Sequence, residues 1–164
     1  YHILEDTLLG HMLPAWDHSK KRKAIATAKF YFFDPGVTHM LAGVESLDRN
    51  SSQYGLAFEQ WIGMELRAYI SYRRLNRTLC YWRSTHDQEV DYILGDEIAI
   101  ETKATKKINA YDLKGLKALG EEKEWKALYL VSQDPIPKKI KNITCLPWND
   151  FLSKLWNDKI IAVV

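Results

Sequence analysis

A chain of 164 residues and 19.1 kDa has the length of one domain and can bury roughly 70% of its unfolded surface, so it needs no disulfide or metal staple. With 46% hydrophobic and 27% charged residues it lies outside the compositions that stay disordered. Its 23 Lys and Arg against 21 Asp and Glu leave a net charge of +2, so a nucleic-acid role would rest on local patches rather than bulk charge.

Tyr1 to Leu9 reads as the tail of an earlier element, which suggests a fragment of a longer protein, and residues 1–28 read as an irregular N-terminal appendage. The appendage carries an apolar patch around Leu8 to Trp16 and the basic run Lys20-Lys21-Arg22-Lys23, which is more readily a solvated loop than a phosphate contact. Lys29 to Phe33 is rich in strand formers and is stopped by the turn signal Asp34-Pro35-Gly36, with a short helical piece to Leu41. Glu45 to Tyr54 clusters Ser, Asp, Asn and Gln and reads as a loop. Gly55 to Arg73 carries the longest helical pattern. Advancing about 100° per residue from Glu59, Leu66 falls near −20°, Ile70 near +20° and Gly63 near +40°. A carboxylate therefore occupies the middle of the apolar stripe. Such a group is costly against a core unless it is paired, hydrogen-bonded or bound to a metal, and a helix face turned towards a site would account for it.

Three short strands follow, Leu79 to Arg83, Glu89 to Leu94 and Ile98 to Lys103, joined by tight loops at His86-Asp87-Gln88 and Gly95-Asp96-Glu97, so neighbours should pair antiparallel. Asp112 to Lys123 reads as a helix with Leu113, Leu116 and Leu119 inward, and Ala127 to Val131 as a buried strand. A strand, helix, strand passage implies a parallel pair. Pro135 and Pro137 break the chain, Ile143 to Leu146 reads as an edge strand, and Trp148 to Trp156 as a closing helix capped by Asn149 or Asp150. The order α-β-β-β-α-β describes an α/β fold over residues 29–164 with a mixed central sheet flanked by helices.

The chemistry concentrates on the last two strands of the meander. Alternation puts Glu89, Asp91 and Ile93 on one face, and Ala99, Glu101 and Lys103 on one face of the next strand. A two-residue loop would send Asp91 and Glu101 to opposite sides, whereas a three-residue Gly95-Asp96-Glu97 loop pairs Leu94 with Ile98 and sets Asp91 opposite Glu101. Two adjacent carboxylates repel and invite a divalent cation, and oxygen ligands select Mg2+ or Mn2+. Lys103 would then sit beside the metal, and Glu59 could add a third carboxylate. An isolated E-x-K is ordinarily a pair of surface charges, but here three features coincide in order.

The series Glu59, Asp91, Glu101-Thr102-Lys103 on an α-β-β-β-α-β frame resembles the PD-(D/E)xK, or restriction-endonuclease-like, nuclease superfamily. Lys29 to Val37, Gly55-Leu56-Ala57-Phe58-Glu59, Tyr81-Trp82-Arg83 and Glu89 to Ile93 are similar to the domain of unknown function found C-terminal to many prokaryotic AAA-type ATPases, a likeness covering Lys29 to Ser132. The resemblance implies a metal-dependent phosphodiesterase acting on DNA, with Asp91 and Glu101 as ligands of Mg2+ or Mn2+. It makes Glu59 a further or water-mediated ligand and Lys103 the group that positions water or stabilises charge. It also implies an AAA-type ATPase domain in the same full-length chain, with Tyr1 to Trp16 as the end of a winged-helix segment or linker. The given sequence has no G-x-x-x-x-G-K-[ST], so it does not bind nucleotide in that way.

Arg73, Arg74, Arg77, Arg83, Lys106, Lys107, Lys138, Lys139 and Lys141 are basic residues at or around the expected site that suit sequence-independent phosphate contacts. The tryptophans read as core rather than stacking platforms, and the five histidines show no ligand spacing. Cys80 and Cys145, far apart and in no C-x-x-C, exclude a disulfide framework or zinc site and suit a reducing, cytoplasmic setting. Apolar runs of a few residues are too short to span a membrane. Besides DNA hydrolysis, the residues leave open a module that keeps the nuclease fold for DNA or partner docking with little turnover.

Overall fold

A computed structural model describes residues 2–161 of the chain. Two short elements, α1 (His2–Asp6) and β1 (Gly10–Leu13), lie within the stretch expected to be irregular. β1 forms because β2 (Lys29–Phe32) pairs with it antiparallel, Gly10 opposite Phe32 and Leu13 opposite Lys29, a partnership that local sequence does not announce. Past β1 the chain is held through Tyr81, whose amide donates to the Pro14 carbonyl while its own carbonyl accepts from the Trp16 amide. The basic run is anchored rather than loose. The amides of Lys20 and Lys21 both donate to Glu122, and Arg22 pairs with Glu121 and Glu122.

Asp34 both ends β2 and starts the next helix. Its side chain accepts from the Val37 amide to cap α2 (Pro35–Leu41), with Pro35 in the first turn, where a missing N–H costs nothing. The long helix α3 (Ser52–Tyr72) begins three residues before the apolar pattern does, because Ser51 caps it through the Tyr54 amide. Its stripe Phe58, Ile62, Leu66 and Tyr69 is buried.

Beyond α3 come β3 (Leu79–Arg83), β4 (Glu89–Leu94), β5 (Ile98–Lys103), α4 (Lys114–Gly120), β6 (Ala127–Ser132), β7 (Lys138–Ile140), β8 (Ile143–Pro147) and α5 (Trp148–Trp156). The three meander strands have the predicted limits, and the fold is the expected mixed α/β architecture. A six-stranded sheet runs β3-β4-β5-β6-β8-β7, antiparallel from β3 to β5, parallel from β5 through β6 to β8, and antiparallel again at β7. Towards the C-terminus two details differ from expectation. β8 is an interior strand, because the Pro-flanked residues after β6 supply β7 as the edge instead. Helix α5 follows Pro147 directly with no side-chain cap from Asn149 or Asp150.

The sheet separates two cores. On one side α3 and α5 pack Ile62, Leu66, Phe151 and Leu155 onto Tyr92, Leu94, Ile98 and Ile100. On the other, α4 packs Leu113, Leu116 and Leu119 with Trp82, Ile93, Ala99, Leu128 and Leu130. α4 is shorter than the predicted 112–123, but its three leucines point inward as expected. It approaches so closely that a Cβ on Gly115 would lie 1.8 Å from the Glu89 carbonyl oxygen. Backbone offers no rotamer with which to yield. Gly115→Ala should therefore destabilise the fold by about 2–3 kcal/mol through overpacking, measured by urea denaturation, whereas Gly55→Ala, with open space around its Cβ position, should be neutral or slightly stabilising.

Candidate functional site

β4 and β5 pair through Leu94 and Ile98, Ile93 and Ala99, and Tyr92 and Ile100, the register that a Gly95-Asp96-Glu97 loop demands. The loop turns with Gly95 and Asp96 both at φ +56°, a region glycine and, less easily, aspartate tolerate. Asp96 is held there by Trp16 Nε1 at 2.6 Å and Lys123 Nζ at 2.7 Å. The ladder stops at Tyr92, one step short of Asp91 and Glu101. From there β4 continues along β3, with a bulge between Cys80 and Trp82, while β5 continues along β6. The strands part into a fork with the two acids at its mouth.

Asp91 takes over the bonding that the ladder gives up. Its Oδ2 accepts from the amide and the hydroxyl of Thr102, each at 2.7 Å. Asp91 is 6% and Glu101 4% exposed. Lys103 Nζ lies 2.5 Å from Glu101 Oε1, while Glu101 Oε2 is buried and has no hydrogen-bond partner among the described residues. Burial, then the Glu59 charge, pushes the Asp91 carboxyl up to about 7. Burial and the neighbouring Asp91 push Glu101 well above the carboxylate range. For Lys103 burial works against the ammonium, but Glu101 and Asp91 outweigh it and hold the proton more tightly.

Glu59 reaches the fork from the other layer. By alternation from Ala99, which packs against α4, Glu101 and Lys103 belong to the α4 side, whereas Glu59 projects from α3. Its Oε1 accepts from Tyr31 Oη at 2.5 Å and faces Lys29 Nζ at 3.2 Å. Lys29 also pairs with Glu89. Tyr92 Oη donates to the Glu59 carbonyl at 2.9 Å, and Gly63 leaves room for it, since a Cβ there would sit 2.4 Å from that hydroxyl. Lys29 and Tyr31 were not singled out in the sequence, although their period-two spacing in a strand already set them on one face.

Among the described residues no three His, Cys, Asp or Glu side chains are grouped as a metal cage. The pair still suits a hard cation by the chemistry of its donors: both acids are buried, and Glu101 Oε2 has no hydrogen-bond partner among the described residues. Of the basic residues, Lys106 and Lys107 are exposed on the loop just past Lys103. Arg83 pairs with Asp87 and lies near Glu89. Arg73 and Arg74 lie about 21 Å along the α3 axis from Glu59, where Arg73 pairs with Asp158; Arg77 pairs with Glu97 at the closed end of the hairpin. Lys138 is taken up by Asp134, and Lys139 and Lys141 line a separate depression.

A raised carboxyl pKa means that the folded state holds the proton more tightly than the unfolded chain. Stability of the metal-free protein is then full below the ordinary aspartate value near 4 and falls as pH rises towards about 7. Asp91→Asn keeps an oxygen to accept from Thr102 but carries no charge. In EDTA it should be more stable than wild type by about 1–3 kcal/mol at pH 8, and little different at pH 4, in denaturant titrations at the two pH values.

Searches of curated proteins and of solved structures return no match. The family described as Domain of unknown function (DUF4143) matches residues 54–151, a span that runs from the first turn of α3 into α5 and contains Glu59, the fork and all six strands of the main sheet. The chain belongs to the DUF4143 family of domains of unknown function.

Proposed function

We propose that the chain is a divalent-metal-dependent, nuclease-like domain that hydrolyses DNA phosphodiesters. The observation that carries this reading is the fork itself, where Asp91, Glu101 with its unpartnered buried oxygen, and Lys103 converge. Burying two acids against each other costs stability that a purely structural strand pair could avoid with neutral residues. The order Glu59, Asp91, Glu101, Lys103 on its α-β-β-β-α frame, which resembles the PD-(D/E)xK nucleases, supports the same reading.

In this reading Asp91 and Glu101 hold Mg2+ or Mn2+, with Glu59 as a further or water-mediated ligand. The ion supplies Lewis-acid stabilisation of the phosphate and a water of lowered pKa. Thr102 fixes the Asp91 carboxylate through two hydrogen bonds, so that oxygen is oriented before any ligand arrives. Lys103, beside Glu101, would hold the attacking water or a phosphate oxygen. Tyr31 and Lys29 restrain Glu59 in the same way. Lys106 and Lys107 contribute sequence-independent attraction to the backbone. The same resemblance assigns an AAA-type ATPase domain to the full-length chain.

Calorimetry with Mg2+ and Mn2+, followed by cleavage assays on supercoiled, branched and single-stranded DNA, tests this. Wild type should bind the ions and cut DNA only in their presence. Asp91→Ala should lose both ion binding and cleavage, and Lys103→Ala should keep ion binding but cut at background rate, each with an unchanged circular dichroism spectrum. Wild-type cleavage in both variants would place the site elsewhere. No ion binding, even with DNA present, would make the acids structural and assign the domain to docking DNA or a partner of the ATPase.

A further inference from the structure

A recess of about 510 Å3 opens on the α3 and α5 side of the sheet, at the end where the fork lies. Its walls are aromatic: Tyr54, Phe58 and Trp61 from α3, and Trp148 from the start of α5. Arg49 and Gln133 also line it. Phe58 immediately precedes Glu59, and Gln133 follows Ser132, the residue that pairs with Lys103 across β5 and β6. The Gln133 amide also donates to the Thr105 carbonyl at 3.0 Å. The recess and the fork therefore share one end of the sheet.

The lining is specific in its chemistry. Trp61 meets Trp148 edge on, with ring centroids 5.2 Å apart and planes at 66°, and Phe58 lies 6.0 Å from Trp61. Trp148 remains 39% exposed, so a large ring that could have joined the core is left at the rim. Gln133 Nε2 spends one hydrogen on Tyr54 Oη at 2.7 Å. Its second amide hydrogen and its carbonyl oxygen make no hydrogen bond among the described residues, and an amide offers both a donor and an acceptor to a partner. Arg49 is exposed and makes no ion pair among the described residues. Flat apolar walls, an amide with unused bonding capacity and an exposed cation match the three parts of a nucleotide, its π face, its polar edge and its phosphate. An apolar peptide would use the walls but not the cation. The volume suits one base rather than a duplex.

We propose that this recess takes an unpaired nucleobase from single-stranded or frayed DNA, with Trp148 as its stacking platform, Gln133 on the base edge and Arg49 on the phosphate. The occupied recess delivers the adjoining backbone to the acid fork, so the preferred substrate is DNA with unpaired bases rather than intact duplex. This assignment deepens the nuclease reading and rests on it only for the fate of that backbone.

Binding is measured on the full 164-residue chain in EDTA, where hydrolysis does not intervene, by anisotropy of a short labelled oligodeoxynucleotide and by quenching of tryptophan emission. A blunt duplex of the same sequence is the comparison. The single strand should bind at least tenfold more tightly than the duplex and quench emission. Trp148→Ala should abolish most of the quenching and weaken binding about tenfold, the loss expected for one stacked base, while Arg49→Gln should weaken it and reduce its salt dependence by about one phosphate contact. Single-strand binding unchanged in both variants, equal binding of duplex without quenching, or no oligonucleotide binding at all would overturn the assignment. The two readings fail separately. Binding through Trp148 by a protein that cuts no DNA keeps the recess and removes the nuclease, whereas metal-dependent cutting with wild-type binding by Trp148→Ala does the reverse.

Discussion

The burial of Asp91 and Glu101 at the point where β4 and β5 separate is the constraint around which the rest is arranged. Two acids held away from water next to each other must surrender a proton equilibrium, find cations, or both. The fold does both. Their carboxyls are shifted upward, that of Asp91 by burial and the Glu59 charge, that of Glu101 by burial and Asp91, and the ammonium groups of Lys103 and Lys29 are drawn to the cluster, the first to Glu101 and the second to Glu59 and Glu89. The lysines thereby supply the positive charge that two buried carboxyls require.

The fork is possible because each strand has a different continuing partner. Past Tyr92, β4 leans on β3 through a bulged ladder, and past Ile100, β5 leans on β6 in parallel. Each strand keeps the ladder on its outer edge when the two part, and on the inner edge Asp91 supplies the acceptor for the Thr102 amide. Close packing on both faces holds the opening. Gly115 lets α4 press on the Glu89 carbonyl from one layer, and Gly63 lets the Tyr92 hydroxyl reach the Glu59 carbonyl from the other. Membership in a family defined over residues 54–151 covers this machinery but not β1 and β2, so Lys29 and Tyr31 reach the site from outside the matched span.

Much of this was legible in the chain. The limits of the meander strands and the inward leucines of α4 followed from alternation and turn chemistry, which act over a few residues, whereas the loop that pairs Leu94 with Ile98 followed from asking which register brings Asp91 and Glu101 to one side. Glu59 stood out because a charge in an apolar stripe violates a local rule, and local rules fail most often at sites and strained places. Trp61 and Trp148 were read as core, and in part they are not. Periodicity places a side chain on a face without saying whether a neighbouring element covers it.

The amino-acid pattern alone thus settled which residues share a strand or a helix face, since backbone geometry repeats every two or about 3.6 residues. It could not settle the partnerships made across the chain. The pairing of β1 with β2, the interior place of β8, the anchoring of Lys20 to Arg22 on Glu122, and the arrival of Glu59 and Glu101 from opposite layers all join residues distant in sequence. Such contacts are chosen by the packing of whole elements against one another, a choice that no short window of sequence contains.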